Sequence, residues 1–226
     1  MGRNRIYNRV HSMFKAVIWD FGGVITSSPF DAFNIYEQSQ GLPKNIIRQI
    51  NATNPDRNAW AQFERNEITA AEFNVLFSAE ADALGHAIPG DDVLACLAGH
   101  IRPQMVAVLE GLKRRDYRIG CITNNVQAGE GAGMARTADK AQAVAAVMAL
   151  FDLVIESSKV GVRKPDPAIY HMACEGLGIP PSEAIFLDDL GINLKPARAM
   201  GMTTIKVGDP DVAISELSEH LGHALP

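Results

Sequence analysis

Four points in the chain place polar side chains that suit phosphate or a hard cation directly after short apolar runs. Asp20 follows Ala16-Val17-Ile18-Trp19 and precedes Gly22 and Gly23. Thr123 and Asn124 follow residues 117–122, Lys164 lies in the loop beyond 153–157, and Asp188 and Asp189 close 184–187. Carboxylates from two different strands, together with a backbone carbonyl, match Mg²⁺, which takes oxygen ligands and usually keeps several waters. Thr123 and Lys164 offer a hydroxyl and an ammonium to phosphate oxygens. Each group also has an ordinary reading: a Gly-Gly turn after Asp20, turn residues at Thr123 and Asn124, a solvated charge at Lys164, and a helix N-terminus favouring acids at Asp188 and Asp189. All of them falling on one edge of one sheet points instead to a site.

That edge must be built by the apolar runs. Ala16 to Trp19, with Phe14 before them, read as a central strand buried on both faces. Further strands are expected at 117–122, 153–157, 184–187 and 203–207, with helices at 105–115, 141–150, 192–200 and 212–221. Asp166 followed by Pro167 is a helix N-cap with proline at the first helical position. The alternation implies an α/β fold with a doubly wound parallel sheet, in which ligands bind beyond the carboxyl ends of the strands.

Between the first two strands the period changes. From Phe30 to about Gly99 the apolar residues recur at helical spacing: Phe33 and Tyr36 with Glu37, then Ile46, Ile47 and Ile50, then Trp60 and Phe63. Thr69-Ala70-Ala71-Glu72 is a capping box opening a helix with the stripe Phe73, Leu76 and Phe77. Such a stripe reads as bundle core rather than a ligand box. The organisation expected is a disordered leader at 1–12, an α/β core formed by 13–28 and 102–226, and a helical insertion at 29–101. The insertion hangs over the carboxyl end of the first strand, where a lid would stand. Gln127-Ala128-Gly129-Glu130-Gly131-Ala132-Gly133 lacks both the last glycine of a dinucleotide fingerprint and its place after a first strand, and reads as a mobile loop.

Composition narrows the partners. With 226 residues, 47% hydrophobic and 21% charged, the chain can build a sizeable core, and no apolar run approaches the ~20 residues of a membrane span. A net charge of -5 and a pI of about 5.7 give no basic field for nucleic acid or anionic lipid, so small molecules are expected as partners. Cys96, Cys121 and Cys174 lie far apart, which fits buried thiols in a reducing, cytoplasmic setting. His220 and His223 read as a solvated helix end.

In their order along the chain, Asp20-Phe21-Gly22-Gly23, Thr123-Asn124, Arg163-Lys164-Pro165-Asp166-Pro167 and Phe186-Leu187-Asp188-Asp189-Leu190-Gly191 carry a resemblance. From Met13 onward the sequence resembles the haloacid dehalogenase-like hydrolase superfamily, and within it the phosphatases related to the N-terminal domain of soluble epoxide hydrolase. The resemblance implies a Rossmann-like core and a helical cap that closes over the active site and selects a small phosphorylated substrate. It implies a Mg²⁺-dependent phosphatase in which Asp20 attacks phosphorus and forms an aspartyl-phosphate that water hydrolyses. Mg²⁺ would be held by Asp20, the carbonyl of Gly22 and Asp189, with Asp188 and Asn193 supporting them. Thr123, with Asn124 beside it, and Lys164 would bind the phosphate, and Lys164 would also screen the nucleophile from the dianion.

One position departs from the family. Most of its phosphatases carry a second acid two residues after the nucleophile, which protonates the leaving group and then activates water; here that residue is Gly22. The departure leaves room for a degenerate member that binds without turnover. A haloacid dehalogenase would share the aspartate and lysine but needs no metal, so the Asp188-Asp189 pair argues against it.

Overall fold

The computed structural model describes residues 13–97, 99–126 and 138–226. The leader expected at 1–12 and the loop expected at 127–133 lie outside them. Strand β1 (Ala16–Trp19) is buried along its whole length. Asp20 extends it by one bond, donating its N–H to Leu187 O at 2.8 Å. The chain then turns, with Gly23 at φ +79°, a conformation that side chains resist. Thr26 bridges antiparallel to Ile101, so the connections into and out of the next segment run side by side.

Between them lie α1 (Pro29–Ser39), α2 (Ile46–Ala52), α3 (Ala59–Glu64), α4 (Ala70–Ala83) and α5 (Gly90–Ala95). Local chemistry starts three of these helices: Ser28 accepts from Phe30 N, Asn58 from Ala61 N, and Thr69 pairs with Glu72 in the expected capping box. Their apolar faces meet in a core of their own, in which Phe73 stacks between Phe63 at 4.9 Å and Phe77 at 5.4 Å. Each buried phenyl stabilises this assembly by about 2–3 kcal/mol relative to an exposed one. Leu76, expected in the same stripe, is exposed instead, because α4 is covered on one side only. Helix α5 escaped the sequence reading; it is only 6 residues long and its N-cap, Pro89, makes no side-chain cap.

The rest of the chain alternates. After α6 (Pro103–Lys113) come β2 (Arg118–Thr123), α7 (Ala138–Met148), β3 (Leu153–Glu156), α8 (Ser157–Val160) and α9 (Pro167–Leu177). Next are a 3₁₀ turn (Pro181–Glu183), β4 (Ala184–Asp188), α10 (Gly191–Ala199), β5 (Thr203–Lys206) and α11 (Pro210–Leu221). Among the described residues the five strands form one parallel sheet, in the order β3-β2-β1-β4-β5. Alternation along β1 sends Val17 and Trp19 to a face packed by Met105, Leu109 and Leu217, and Ala16 and Ile18 to the face packed by Ile169, Tyr170 and Leu194. The order reverses beside β1, which opens a crevice at the carboxyl ends of β1 and β4.

Some boundaries differ from expectation. Thr123 and Asp188 are the last residues of their strands rather than the first beyond them, since they stand in register with Glu156 and Lys206. Ser157 opens α8 instead of ending β3. Cys121 and Cys174 are buried, whereas Cys96 is half-buried, its thiol 3.3 Å from Asp92 O at the end of α5. No helix among the described residues is long and apolar enough to cross a membrane.

Candidate active site

Lys164 joins the site together. Its side chain is fully buried, with Nζ 2.8 Å from Asp20 Oδ1 and 2.8 Å from Asp188 Oδ2. A lysine from a loop reaches this depth because Asn124, just after β2, grips its backbone. Asn124 Oδ1 accepts from Lys164 N at 2.8 Å, and Asn124 Nδ2 donates to Lys164 O at 2.9 Å. Asn125 adds a second tie, donating to Glu156 Oε1 at 3.0 Å and accepting from Ser158 Oγ at 2.9 Å. The Asn124 amide is thus engaged at both poles, and a phosphate contact by that side chain would compete with its hold on Lys164.

Asp188 is wholly enclosed. It accepts from Lys164, from Asn193 Nδ2 at 3.1 Å on each oxygen, and from Leu190 N at 2.8 Å. Tyr170 OH donates to Asn193 O at 2.7 Å and steadies that partner. Asp20 Oδ1 accepts from Phe21 N at 2.6 Å as well as from Lys164. Thr123, nearly buried at the end of β2, lines one cavity with Asp20, Gly22, Lys164 and Asp189.

Three carboxylates here face one ammonium. Oxygen atoms of Asp20, Asp188 and Asp189 all lie within 4.8 Å of one another. Burial pushes the Asp20 carboxyl well above the ordinary range; Lys164 opposes this, while Asp188 and Asp189 add to it. Asp189 is pushed up to about 6 by burial and then by Asp188, against Lys164 and a hydrogen bond with Ser28. Burial pulls Lys164 down, yet the two carboxylates beside it outweigh that effect and keep it an ammonium. Repulsion of this kind is relieved by a cation, and donors that are all hard oxygens fit Mg²⁺ or Ca²⁺ rather than a softer metal. Since Asp188 is enclosed, Asp20 and Asp189 are the carboxylates available to such an ion. In the turn after Asp20, Phe21 O accepts from Ile25 N and Thr26 N, and Gly23 O accepts from the Arg102 guanidinium, so none of these bonds uses the Gly22 carbonyl.

The two glycines are not equivalent. A Cβ on Gly23 would stand 2.2 Å from Asp189 Oδ2, so that carboxylate occupies the space a side chain would need. One on Gly22 would meet nothing within 4 Å.

The cavity holds about 810 Å³ and extends to the helical insertion, where Phe30, Phe33, Trp60 and Leu97 form its walls. Glu64, the last residue of α3 and unmarked in the sequence reading, enters it from that side. Its Oε1 accepts from Trp60 Nε1 at 3.0 Å, and its Oε2 lies 2.7 Å from Arg163 Nε and 3.5 Å from Asn124 Nδ2. Burial raises its carboxyl, with Arg163 opposing. Arg163 also donates to Pro55 O at 3.0 Å, and Ser157 Oγ to Glu64 O at 2.7 Å, so the insertion is tied to the core right beside Lys164. The available signal was an acid one helical turn after Trp60, on the apolar side of a short helix.

The model of a family described as haloacid dehalogenase-like hydrolase matches residues 14–201. Among curated proteins, the chain is 32% identical to acyl-CoA dehydrogenase family member 10 of Mus musculus, over 94% of this chain and 20% of that protein. It is 30% identical to bifunctional epoxide hydrolase 2 of Mus musculus, over 94% of this chain and 40% of that protein. The chain therefore spans well under half the length of these two relatives. A sesquiterpene phosphatase of Aspergillus oryzae, astK, is 27% identical over 92% of this chain and 97% of its own length. The fold is shared with an enzyme of the HAD family from Bacteroides thetaiotaomicron, solved in complex with magnesium and inorganic phosphate. That match has a TM-score of 0.56 at 21% identity, over 87% of this chain and 96% of that one.

Proposed function

The chain belongs to the haloacid dehalogenase-like hydrolases and has phosphatases among its relatives, and from that premise we propose a Mg²⁺-dependent phosphomonoester hydrolase that works through Asp20. The observation that carries this reading is Lys164 buried between Asp20 and Asp188, with Thr123 and Asp189 on the same cavity. Asp20 Oδ1 is held by Lys164 and Phe21 N, so Oδ2 is the atom that attacks phosphorus. As that bond forms, the bond from phosphorus to the leaving oxygen breaks and its electron pair departs with that oxygen. Water then attacks the aspartyl-phosphate at phosphorus, which returns the Asp20 carboxylate and inorganic phosphate. Thr123 and the Lys164 ammonium hold the phosphoryl oxygens throughout, where catalysis is mainly positioning and electrostatics. Asp20, the Gly22 carbonyl and Asp189 would hold Mg²⁺, which when bound neutralises charge on the transferring group. Asn124 sets the position of Lys164, and Asn193 that of Asp188.

Gly22 offers no proton to the leaving oxygen, and Glu64 has both oxygens taken by Trp60 and Arg163. Substrates whose leaving group tolerates negative charge, such as aryl, acyl or anomeric sugar phosphates, suit such a site best. In this reading residues 29–101 form the cap, and 13–28 with 102–226 the core. The Asp188-Asp189 pair weighs against a metal-independent dehalogenase, whereas Gly22 favours a second reading, a phosphate-binding protein without turnover. A panel of phosphoesters assayed with Mg²⁺ and with EDTA separates them. The hydrolase releases phosphate only with Mg²⁺, the dehalogenase releases halide from haloacids in EDTA, and the binder releases neither.

A further inference from the structure

On the insertion side of the cavity, α2 presents two polar side chains, each with a buried atom that has no hydrogen-bond partner among the described residues. Arg48 and Asn51 are one helical turn apart and both line the cavity. The Arg48 guanidinium lies over the Phe30 ring, 4.3 Å from its centroid. Its Nε is buried without a hydrogen-bond partner, and so is Asn51 Oδ1. The other cations on this cavity are matched: Arg65 with Glu67 at 2.7 Å, Arg163 with Glu64 at 2.7 Å, and Lys164 with Asp20 and Asp188 at 2.8 Å. Among the described residues Arg48 alone of the cavity's cations has no carboxylate at ion-pair distance. A buried donor left unsatisfied destabilises the protein until a ligand brings an acceptor.

We propose that the leaving group of the substrate carries a carboxylate that Arg48 binds, with an apolar section lying along Phe33 and Trp60. The planar guanidinium matches a carboxylate with two parallel hydrogen bonds, and its weak hydration suits a site walled by aromatic rings. Asn51 Oδ1 calls for a donor next to that carboxylate, so a hydroxy acid or an amino acid would satisfy both side chains. The phosphate end of this substrate rests on the phosphatase reading above; the carboxylate end rests on Arg48 alone.

Two probes test it: an aryl phosphate with a carboxymethyl group para to the ester oxygen, and the neutral carboxamide of the same shape. The ratio of kcat/KM for the two is measured in the wild type, Arg48→Gln and Arg48→Lys. Calorimetry of both probes on Asp20→Asn and on the double variant Asp20→Asn/Arg48→Gln gives the ratio of affinities without turnover. The wild type should favour the carboxylate by about 10- to 100-fold, the size of a hydrogen bond to a charged group. Arg48→Gln should bring the ratio near one, and Arg48→Lys should restore part of it, since a lysine keeps the charge and loses the fork. A ratio near one in the wild type, which needs no variant to fold, overturns the inference, as does a preference that survives Arg48→Gln or the absence of binding by either probe. Turnover without preference refutes this inference and leaves the phosphatase reading standing; a binding preference without turnover does the reverse.

Discussion

Gly23→Ala should push Asp189 out of the proposed metal site while leaving every proposed ligand chemically intact. The new Cβ would lie 2.2 Å from Asp189 Oδ2 and 2.6 Å from Asp189 Cγ, where ordinary contact begins at 3.4 Å. The carboxylate must therefore retreat by more than about 1 Å, while Mg²⁺ holds its oxygens at about 2.0–2.1 Å in near-ideal octahedral geometry. Half-saturating Mg²⁺ should rise by about 10- to 100-fold, the effect typical of losing a group that orients a metal ligand. Holding alanine at φ +79° adds about 1–2 kcal/mol of strain, which lowers Tm by a few degrees. The assay is aryl phosphate hydrolysis over a Mg²⁺ titration, with Gly22→Ala alongside, whose Cβ meets nothing within 4 Å and which should shift far less. An equal Mg²⁺ requirement in Gly23→Ala and the wild type would refute Asp189 as a ligand packed against the turn.

Gly22→Asp points a carboxyl into open cavity and should speed poor alkyl leaving groups more than aryl ones, by up to ~10²-fold; equal acceleration of both would place proton transfer elsewhere. Because Asp189 titrates at about 6 in the folded chain against about 4 unfolded, the metal-free protein holds more protons than its unfolded form between those values. It should lose stability as pH rises through that window, by up to about 3 kcal/mol from this group. Mg²⁺ should then raise Tm more at pH 7 than at pH 5, a difference that Asp189→Asn should flatten in differential scanning calorimetry. Glu64→Ala strips Arg163 of its carboxylate partner and should cost about 3 kcal/mol in urea unfolding, with a loosened insertion reported by increased proteolysis near Pro55; an unchanged pattern would remove Glu64 as the tie between insertion and core.

The core was legible because β1 is a four-residue apolar run, as a strand buried on both faces requires, and because the later apolar runs alternate with helical stretches. The ends of β2 and β4 were harder, since Thr123 looks like a turn residue and Asp188 like a helix N-terminus until their partners Glu156 and Lys206 are known. The site shows the same division. Asp20, Thr123, Lys164, Asp188 and Asp189 could be picked out as candidates from their places at strand ends. The role of Asn124 as a clamp on the Lys164 backbone depends on contact between two loops 40 residues apart, and no local pattern encodes it. Glu64 and Arg48 sit on short helices whose caps and stripes look ordinary, and only the shared cavity shows them facing the site.

The central claim is that Asp20 itself takes up the phosphoryl group, and a trapped intermediate tests it most directly. The enzyme is mixed with an aryl phosphate and Mg²⁺, quenched in acid during turnover, and treated with borohydride, which reduces an aspartyl-phosphate to homoserine. Mass spectrometry of the peptide spanning Phe14 to Gly23 should find homoserine at position 20 in the wild type, and none without Mg²⁺ or in Asp20→Asn. Sustained phosphate release with Asp20 unmodified, or with the reduced residue at another position, would contradict the account.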